Sequence, residues 1–243
     1  MPLVRFYMVR QNIVFVTGAG ISADSGIPTF RGDNGLWQDK SLQYRASIEC
    51  FEEDTEASLL LYNAMREKIY HARPNHAHDV IAALEKQHDV TVITQNVDDL
   101  HERAGSTHVI HMHGELAKVT SSVKRLDPNC IKAYPLNVPI HVGDKAADGS
   151  QLRPAVVMFN EYTSNADSIR NAILYADIFC IIGTSFTVSP ASSFTSYARN
   201  DIPRFVINPS DLTGKLPEGY KHIKMRAVDG IDVFLSELDS LVY

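Results

Sequence analysis

The chain has 243 residues, 44% of them hydrophobic and 21% charged, enough to bury one substantial core with an inserted module, too few for several independent domains, and free of the bias that marks disorder. A formal charge of -6 without any dense Lys/Arg run argues against nucleic acid as a partner and suits a cationic one, such as a lysine-bearing protein tail. Cys50, Cys130 and Cys180 are odd in number, widely spaced and without a C-x-x-C pair, which excludes a disulfide framework and fits a reducing compartment, the cytoplasm. The apolar N-terminal run is broken by Arg5, Arg10 and Gln11, and nothing later approaches the ~20 uncharged residues of a membrane helix, so neither secretion nor membrane anchoring is expected.

In chain order, residues 13–16 form a short β-branched and aromatic run that feeds a glycine turn, as a buried parallel strand does. Mixed three and four spacing of apolar residues predicts a helix over 55–72, stopped by Pro74, and further helices over 76–86, 97–104 (closed by Gly105), 166–175 and 231–241. Strands are predicted over 91–94, 109–112, 155–159, 178–182, 204–207 and 223–228. Alternating strands and helices imply an α/β fold, a Rossmann-like parallel sheet with helices on both faces. Residues of about 33–75 and 119–152 break the alternation and read as insertions that form a smaller lobe of a single domain spanning 1–243. No feature specifies an oligomer, and a monomer is the default expectation.

Candidate chemistry collects just beyond strand ends, where ligands of open α/β sheets bind. Gly18-Ala19-Gly20-Ile21-Ser22-Ala23 satisfies G-x-G-x-x-A, in which glycines let amides approach a pyrophosphate; an ordinary glycine turn matches equally well. The acidic residue that a dehydrogenase places at the end of its second strand, ~20 positions on, has no counterpart, because Asp33 and Asp39 lie in polar, loop-like sequence. Gln95, Asn96 and Asp98 follow the strand 91–94, either as ligand groups or as a polar turn with Asp98 at a helix start. Gly183-Thr184-Ser185 and Asn208 follow two further strands and suit the adenosine half of a dinucleotide or a plain strand-to-helix turn. His113 offers a base at neutral pH; with His111, two positions before it on a strand, it equally reads as a metal-ligand pair or as packing.

The run from Gly18 through Asp24-Ser25-Gly26-Ile27-Pro28-Thr29-Phe30-Arg31-Gly32 closely resembles the NAD-binding signature of the sirtuins, and Gly35-Leu36-Trp37 follows at that family's spacing. Three more blocks match in order: Thr94-Gln95-Asn96-Val97-Asp98-Asp99-Leu100-His101, His111-Met112-His113-Gly114-Glu115-Leu116, and Gly183-Thr184-Ser185 with Val188 and Pro190. Leu152-Arg153-Pro154 through Val157, Phe159 and Glu161 is similar to the family's substrate-facing strand, with Met158 and Asn160 in place of Trp and Gly. The resemblance implies an NAD-consuming lysine deacylase acting on acylated lysines of proteins, with His113 as base and Asn96 positioning water or ribose. It implies cofactor contacts from Gly18, Ala19, Gly20, Ser22, Phe30, Arg31, Gln95, Asn96, Asp98, Gly183, Thr184, Ser185 and Asn208. Acyl-lysine contacts would come from Ala46, Tyr62, Met65, Val157, Phe159 and Val188. ADP-ribosyl transfer or NAD hydrolysis would use the same cofactor blocks, and a catalytically silent NAD sensor would need neither His113 nor Asn96.

Two departures stand out. Most sirtuins hold their small module with four cysteines around zinc, the first pair soon after the His-Gly-x-Leu block; here that stretch reads Val119-Thr120-Ser121-Ser122-Val123-Lys124, so no zinc or other metal is expected. Enzymes preferring acidic acyl groups carry Tyr-x-x-Arg on the small-lobe helix; here Tyr62 and Ala46 match that branch, Met65 takes the arginine position, and Arg66 is expected on the solvated face.

Overall fold

The computed structural model describes residues 10–29, 38–163, 165–184 and 191–241. The chain runs β1 (Asn12–Thr17), α1 (Ala19–Ser22), α2 (Lys40–Arg45), α3 (Ile48–Glu53), α4 (Thr55–His71), α5 (His76–Leu84), β2 (Asp89–Thr94), α6 (Leu100–Ala104), β3 (Val109–His111) and β4 (Gly114–Ser121). It continues through β5 (Lys132–Ala133), β6 (Leu152–Val156), α7 (Ala166–Leu174), β7 (Ile178–Ile182), α8 (Ala191–Tyr197), β8 (Arg204–Ile207), β9 (Tyr220–Ile223) and α9 (Ala227–Leu241). Six strands pair in parallel in the order β3-β2-β1-β7-β8-β9.

β1 and β7 sit at the centre because they are apolar on both faces, and side chains in a strand alternate between faces. Ile13 and Phe15 point to one side, where Ala77 and Ile81 of α5 and Ile231, Phe234 and Leu238 of α9 cover them. Val14 and Val16 point to the other, under Ile169 and Ile173 of α7 and Phe194 of α8. The Phe234 ring meets both Phe15 and Phe205 edge-on, at 5.4 and 5.2 Å between centroids. Each such side chain contributes about 1.5–3 kcal/mol by leaving water. The doubly covered parallel sheet is the architecture that the alternating pattern implies. Among the described residues no helix is long and apolar enough to cross a membrane.

A second, antiparallel sheet has the order β5-β4-β6 and packs with α3 and α4 around Phe51, Leu59, Tyr62, Leu116, Val119 and Ile140. The sequence shows no strand at β4, because the β4–β6 pairing shifts register between Glu115 and Val119 and breaks the alternation. Pro154 is tolerated in β6 because that strand is an edge.

Arg66 overturns its expected solvation: it is fully buried. Its guanidinium donates to the carbonyl oxygens of Leu116, Pro135 (2.6 Å) and Val138 (3.2 Å) and lies 5.3 Å from the Tyr134 ring centre, so three backbone carbonyls replace water around it. One turn away, Asn63 both donates to and accepts from the backbone of Ile140, at 2.9 Å each. Other expectations shift in extent. The last strand is β9, ending at Ile223; a short connection over 224–226 follows, and Ala227 and Val228 already belong to α9. The strand expected over 155–159 ends at Val156. The helix expected from 97 begins at Leu100, after a turn in which Asp98 is engaged.

Candidate active site at the carboxyl edge of the sheet

The strands of the large sheet end in register. Thr17 pairs with Thr94 and Ile182, Thr94 with His111, Ile182 with Ile207, and Ile207 with Ile223. The residues that follow, Gly18, Gln95, Met112, Gly183 and Asn208, therefore emerge along one edge, and strand order reverses between β1 and β7, where a crevice opens in folds of this kind.

At that switch point two turns touch backbone to backbone. Gly18 N donates to Ile182 O and Gly20 N to Gly183 O, both at 2.9 Å. A Cβ on Gly20 would lie 2.6 Å from Gly183 Cα, and Gly183 has φ 66, the left-handed region that glycine enters freely. The glycines of the G-x-G turn are thus required first by this crossing of chains. Ala19 opens the one-turn helix α1, and Asn75, which caps α5, donates to Ile21 O at 2.8 Å and Ser25 Oγ at 2.9 Å, tying α5 to the turn.

A short polar chain crosses from this turn to the loop after β2. Gln95 N donates to Thr17 O at 2.9 Å. Asn96 is buried, and its Nδ2 donates to Ser22 Oγ at 3.1 Å and to Gly18 O at 3.3 Å. Ser22 Oγ in turn donates to Asp98 Oδ2 at 3.0 Å, while Leu100 N donates to Asp98 Oδ1 at 3.2 Å. Burial pushes the Asp98 carboxyl up to about 6, against the pull of those two hydrogen bonds. Asp98 therefore both caps the turn into α6 and presents a carboxylate held close to its charging point.

His113 lies in the turn between β3 and β4, and its Nδ1 is 2.8 Å from Gln95 O. A carbonyl oxygen can only accept, so Nδ1 carries a proton, and in the neutral ring the lone pair is on Nε2. The two-histidine ligand pair does not form, because His111 ends β3 and its ring takes other partners: Nε2 meets Glu102 at 2.8 Å and Nδ1 the Asn96 carbonyl at 3.3 Å. Burial opposes the charged His111 ring, but the Glu102 and then the Glu115 carboxylates outweigh it, and its pKa is raised. Lys118 answers Glu115, so this acidic cluster is balanced by its own cations.

At the other end Asn208 Nδ2 donates to Thr184 O at 2.6 Å, and the buried Thr184 Oγ1 has no hydrogen-bond partner among the described residues. On the side facing the small lobe, Ala46 O accepts from Tyr62 Oη and from Phe159 N, both at 3.0 Å. Burial pushes the Tyr62 phenol well above its ordinary value, which keeps it a neutral donor. Val157 N donates to His113 O at 2.8 Å, joining this wall to the histidine turn, and Met65 packs partly buried at the rim of the same apolar cluster. Phe30, Arg31, Ser185 and Val188, with the Gly35-Leu36-Trp37 block, lie outside the described residues.

His101 and Arg153 stand in blocks that match the family, but the sequence alone assigns neither of them a role. His101 is buried with Nε2 3.0 Å from Thr17 Oγ1 and its ring 4.9 Å from that of His78. Arg153 is fully buried, paired with both oxygens of Glu161 at 2.7 and 2.8 Å and set over the Phe51 ring. An arginine beside a proline in an apolar strand, with a glutamate eight residues on, was the available signal for the second.

The Sir2 family model matches residues 18–190 of this chain. An NAD-dependent protein deacylase of Bacteroides thetaiotaomicron is 41% identical over 91% of this chain and 95% of its own length, and one of Helicobacter pylori is 39% identical over 94% and 97%. Among solved structures, a Sir2 homologue mutant bound to ADP-ribose superposes with a TM-score of 0.81 at 34% identity, covering 95% of this chain and 92% of that one. A Sir2 homologue bound to NAD gives 0.78 at 34% identity, with 95% and 90% covered. Fold, switch-point geometry and these matches together make the chain a member of the Sir2 family.

Proposed function

We propose that this chain is an NAD-dependent protein-lysine deacylase that consumes NAD as a co-substrate and releases nicotinamide, the free lysine and O-acyl-ADP-ribose. Relatives named as NAD-dependent protein deacylases align over nearly the whole chain, and a family structure holds NAD with a p53 peptide. The observation that carries the chemical reading is the His113 ring, whose Nδ1 is tied to Gln95 O, so that in the neutral ring Nε2 is the basic nitrogen.

In this reading the acyl oxygen attacks C1' of the nicotinamide ribose and nicotinamide departs. His113 Nε2 then takes the proton from a ribose hydroxyl as that oxygen attacks the imidate carbon. Asn96, fixed by Ser22 and Gly18 O, orients water and ribose, and Gln95 shares that task. Asp98 accepts from the nicotinamide carboxamide, a bond suited to a buried carboxylate. Gly18, Ala19, Gly20 and Ser22 bear on the phosphates with Phe30 and Arg31, while Gly183, Thr184, Ser185 and Asn208 receive the adenosine half. The buried Thr184 hydroxyl, without a hydrogen-bond partner among the described residues, supports that assignment.

Ala46, Tyr62, Met65, Val157, Phe159 and Val188 form the acyl-lysine side. Because the Tyr62 hydroxyl is already spent on Ala46 O and Met65 supplies no charge, the wall offers an acyl carboxylate no cation, and an apolar acyl group, from acetyl upward, is favoured. Three free, buried thiols suit action in the cytoplasm.

Incubation with acetyl-lysine peptide and NAD, followed by mass spectrometry, tests the assignment. Lysine release with matching O-acetyl-ADP-ribose is expected; free ADP-ribose with the peptide still acylated would replace this reading by NAD hydrolysis.

A further inference from the structure

The zinc common in this family has no ligand set here. Cys50 sits in α3 and Cys180 in β7, each buried in its own packing, and only Cys130 lies in the connection between β4 and β6, where the family's zinc cysteines would fall. Desolvation and the Asp148 and Asp127 charges raise the Cys130 thiol above its ordinary value, the wrong direction for a metal-binding thiolate. One protonated thiol among hydroxyls and a carboxylate already engaged in hydrogen bonds does not fit a structural zinc site.

We propose that a hydrogen-bond knot centred on the Ser121 hydroxyl and closed by Asp148 does in this chain the fastening that zinc does in its relatives. Ser121 is the last residue of β4, pairs with Leu152 of β6, and is fully buried. Its Oγ donates to Asp148 Oδ2 at 2.7 Å and accepts from Lys124 N at 2.7 Å and Val123 N at 3.0 Å, with Ser150 Oγ 2.8 Å away. One oxygen thus gathers the start of the 122–151 connection and its end at a single point. Asp148 Oδ1 is taken by Ser150 N at 3.1 Å and Ser150 Oγ at 2.7 Å, which shapes the return into β6.

The chemistry matches the task. A metal-bound thiolate holds neighbouring backbone amides through negative charge on sulfur; here the hydroxyl accepts the amides and relays the charge of Asp148. That carboxylate stays at the surface, so its charge is not removed from water and carries no large desolvation cost. The knot works with two other tethers of the lobe already described, Arg66 on the carbonyls of residues 116, 135 and 138, and Asn63 on Ile140.

The test uses the intact chain in two arms that do not depend on the deacylase assignment. Metal analysis of the purified protein is expected to find far less than one zinc per chain, and a strong chelator to leave its melting temperature unchanged. Ser121→Ala and Asp148→Ala are expected to speed protease cleavage within 122–150 by about tenfold or more under conditions where the large sheet stays protected. As an activity readout, KM for acyl-peptide rises several-fold in both variants while KM for NAD stays within about twofold. One zinc per chain whose removal lowers the melting temperature would overturn the proposal, as would variants cleaved no faster than the parent. Should neither variant fold, the metal and chelator arm on the unaltered chain still decides.

Discussion

The crevice and the small lobe solve the same problem of holding polar chain in place by different means. In the crevice, backbone touches backbone: strand ends in register, Gly20 against Gly183, Gln95 N on Thr17 O. In the lobe, long or polar side chains reach across to carbonyls and amides, as Arg66, Asn63 and Ser121 do. Backbone contacts leave almost no room for substitution, whereas side-chain tethers can be exchanged one for another. The first region is therefore intolerant of change, and the second can be fastened in more than one way.

The widest separation of the two regions is expected from His113→Ala. Turnover should fall by about 10²- to 10⁴-fold, the usual worth of a positioned base, with little change in the denaturation midpoint. Steady-state kinetics beside urea titration measures both, and a drop below tenfold would remove His113 from the role of base. Arg66→Met tests the opposite corner. It removes the guanidinium donor from the carbonyls of Leu116, Pro135 and Val138, of which Pro135 O keeps only Val138 N, and should cost about 3 kcal/mol, read in the urea midpoint. If the lobe is indifferent to this change, it is held by apolar packing and not by tethers.

Asp98→Asn should divide stability from activity within the crevice. The folded carboxyl titrates at about 6 against an ordinary 3.8, so its favourable contribution is complete below about 3.8 and is lost as pH rises through 6. By pH 7.5 the ionised form costs up to about 3 kcal/mol, and the asparagine variant is expected to be more stable there by up to that amount, with the difference vanishing near pH 4. KM for NAD should rise at the same time. Melting curves at the two pH values decide; equal melting at pH 7.5 would mean that the carboxylate is stabilised in a way its two hydrogen bonds do not account for. The smallest effect is expected from Met65→Arg, a several-fold shift of preference from acetyl- toward succinyl-lysine peptide. It would be absent if the acyl group does not pass this side of α4.

The large sheet was legible because its strands are buried on both faces and written as apolar runs, β1 and β7 above all. The crevice residues were legible because each follows such a run directly. What stayed hidden depended on distant partners. Arg66 reads as a surface arginine until the carbonyls of residues 116, 135 and 138 are brought to it. β4 lacks alternation because it carries a register shift. β9 is an edge strand with one neighbour, so the polar Tyr220-Lys221-His222 gives no apolar signal, and the adjacent apolar stretch belongs to α9. His113 and His111 share a spacing that suggests a common face, yet the chain turns between them.

Tyr62, Asn63, Met65 and Arg66 share little more than one turn of α4, and all but Met65 hold a hydrogen bond to a different stretch of chain. Deleting one residue upstream in that helix would swing the set by about 100° and bring the guanidinium to the position that Met65 now holds. Position 65, which holds no such bond, is thus open to exchange in lineages descending from this protein, but the spacing of the helix itself is closed to evolutionary drift.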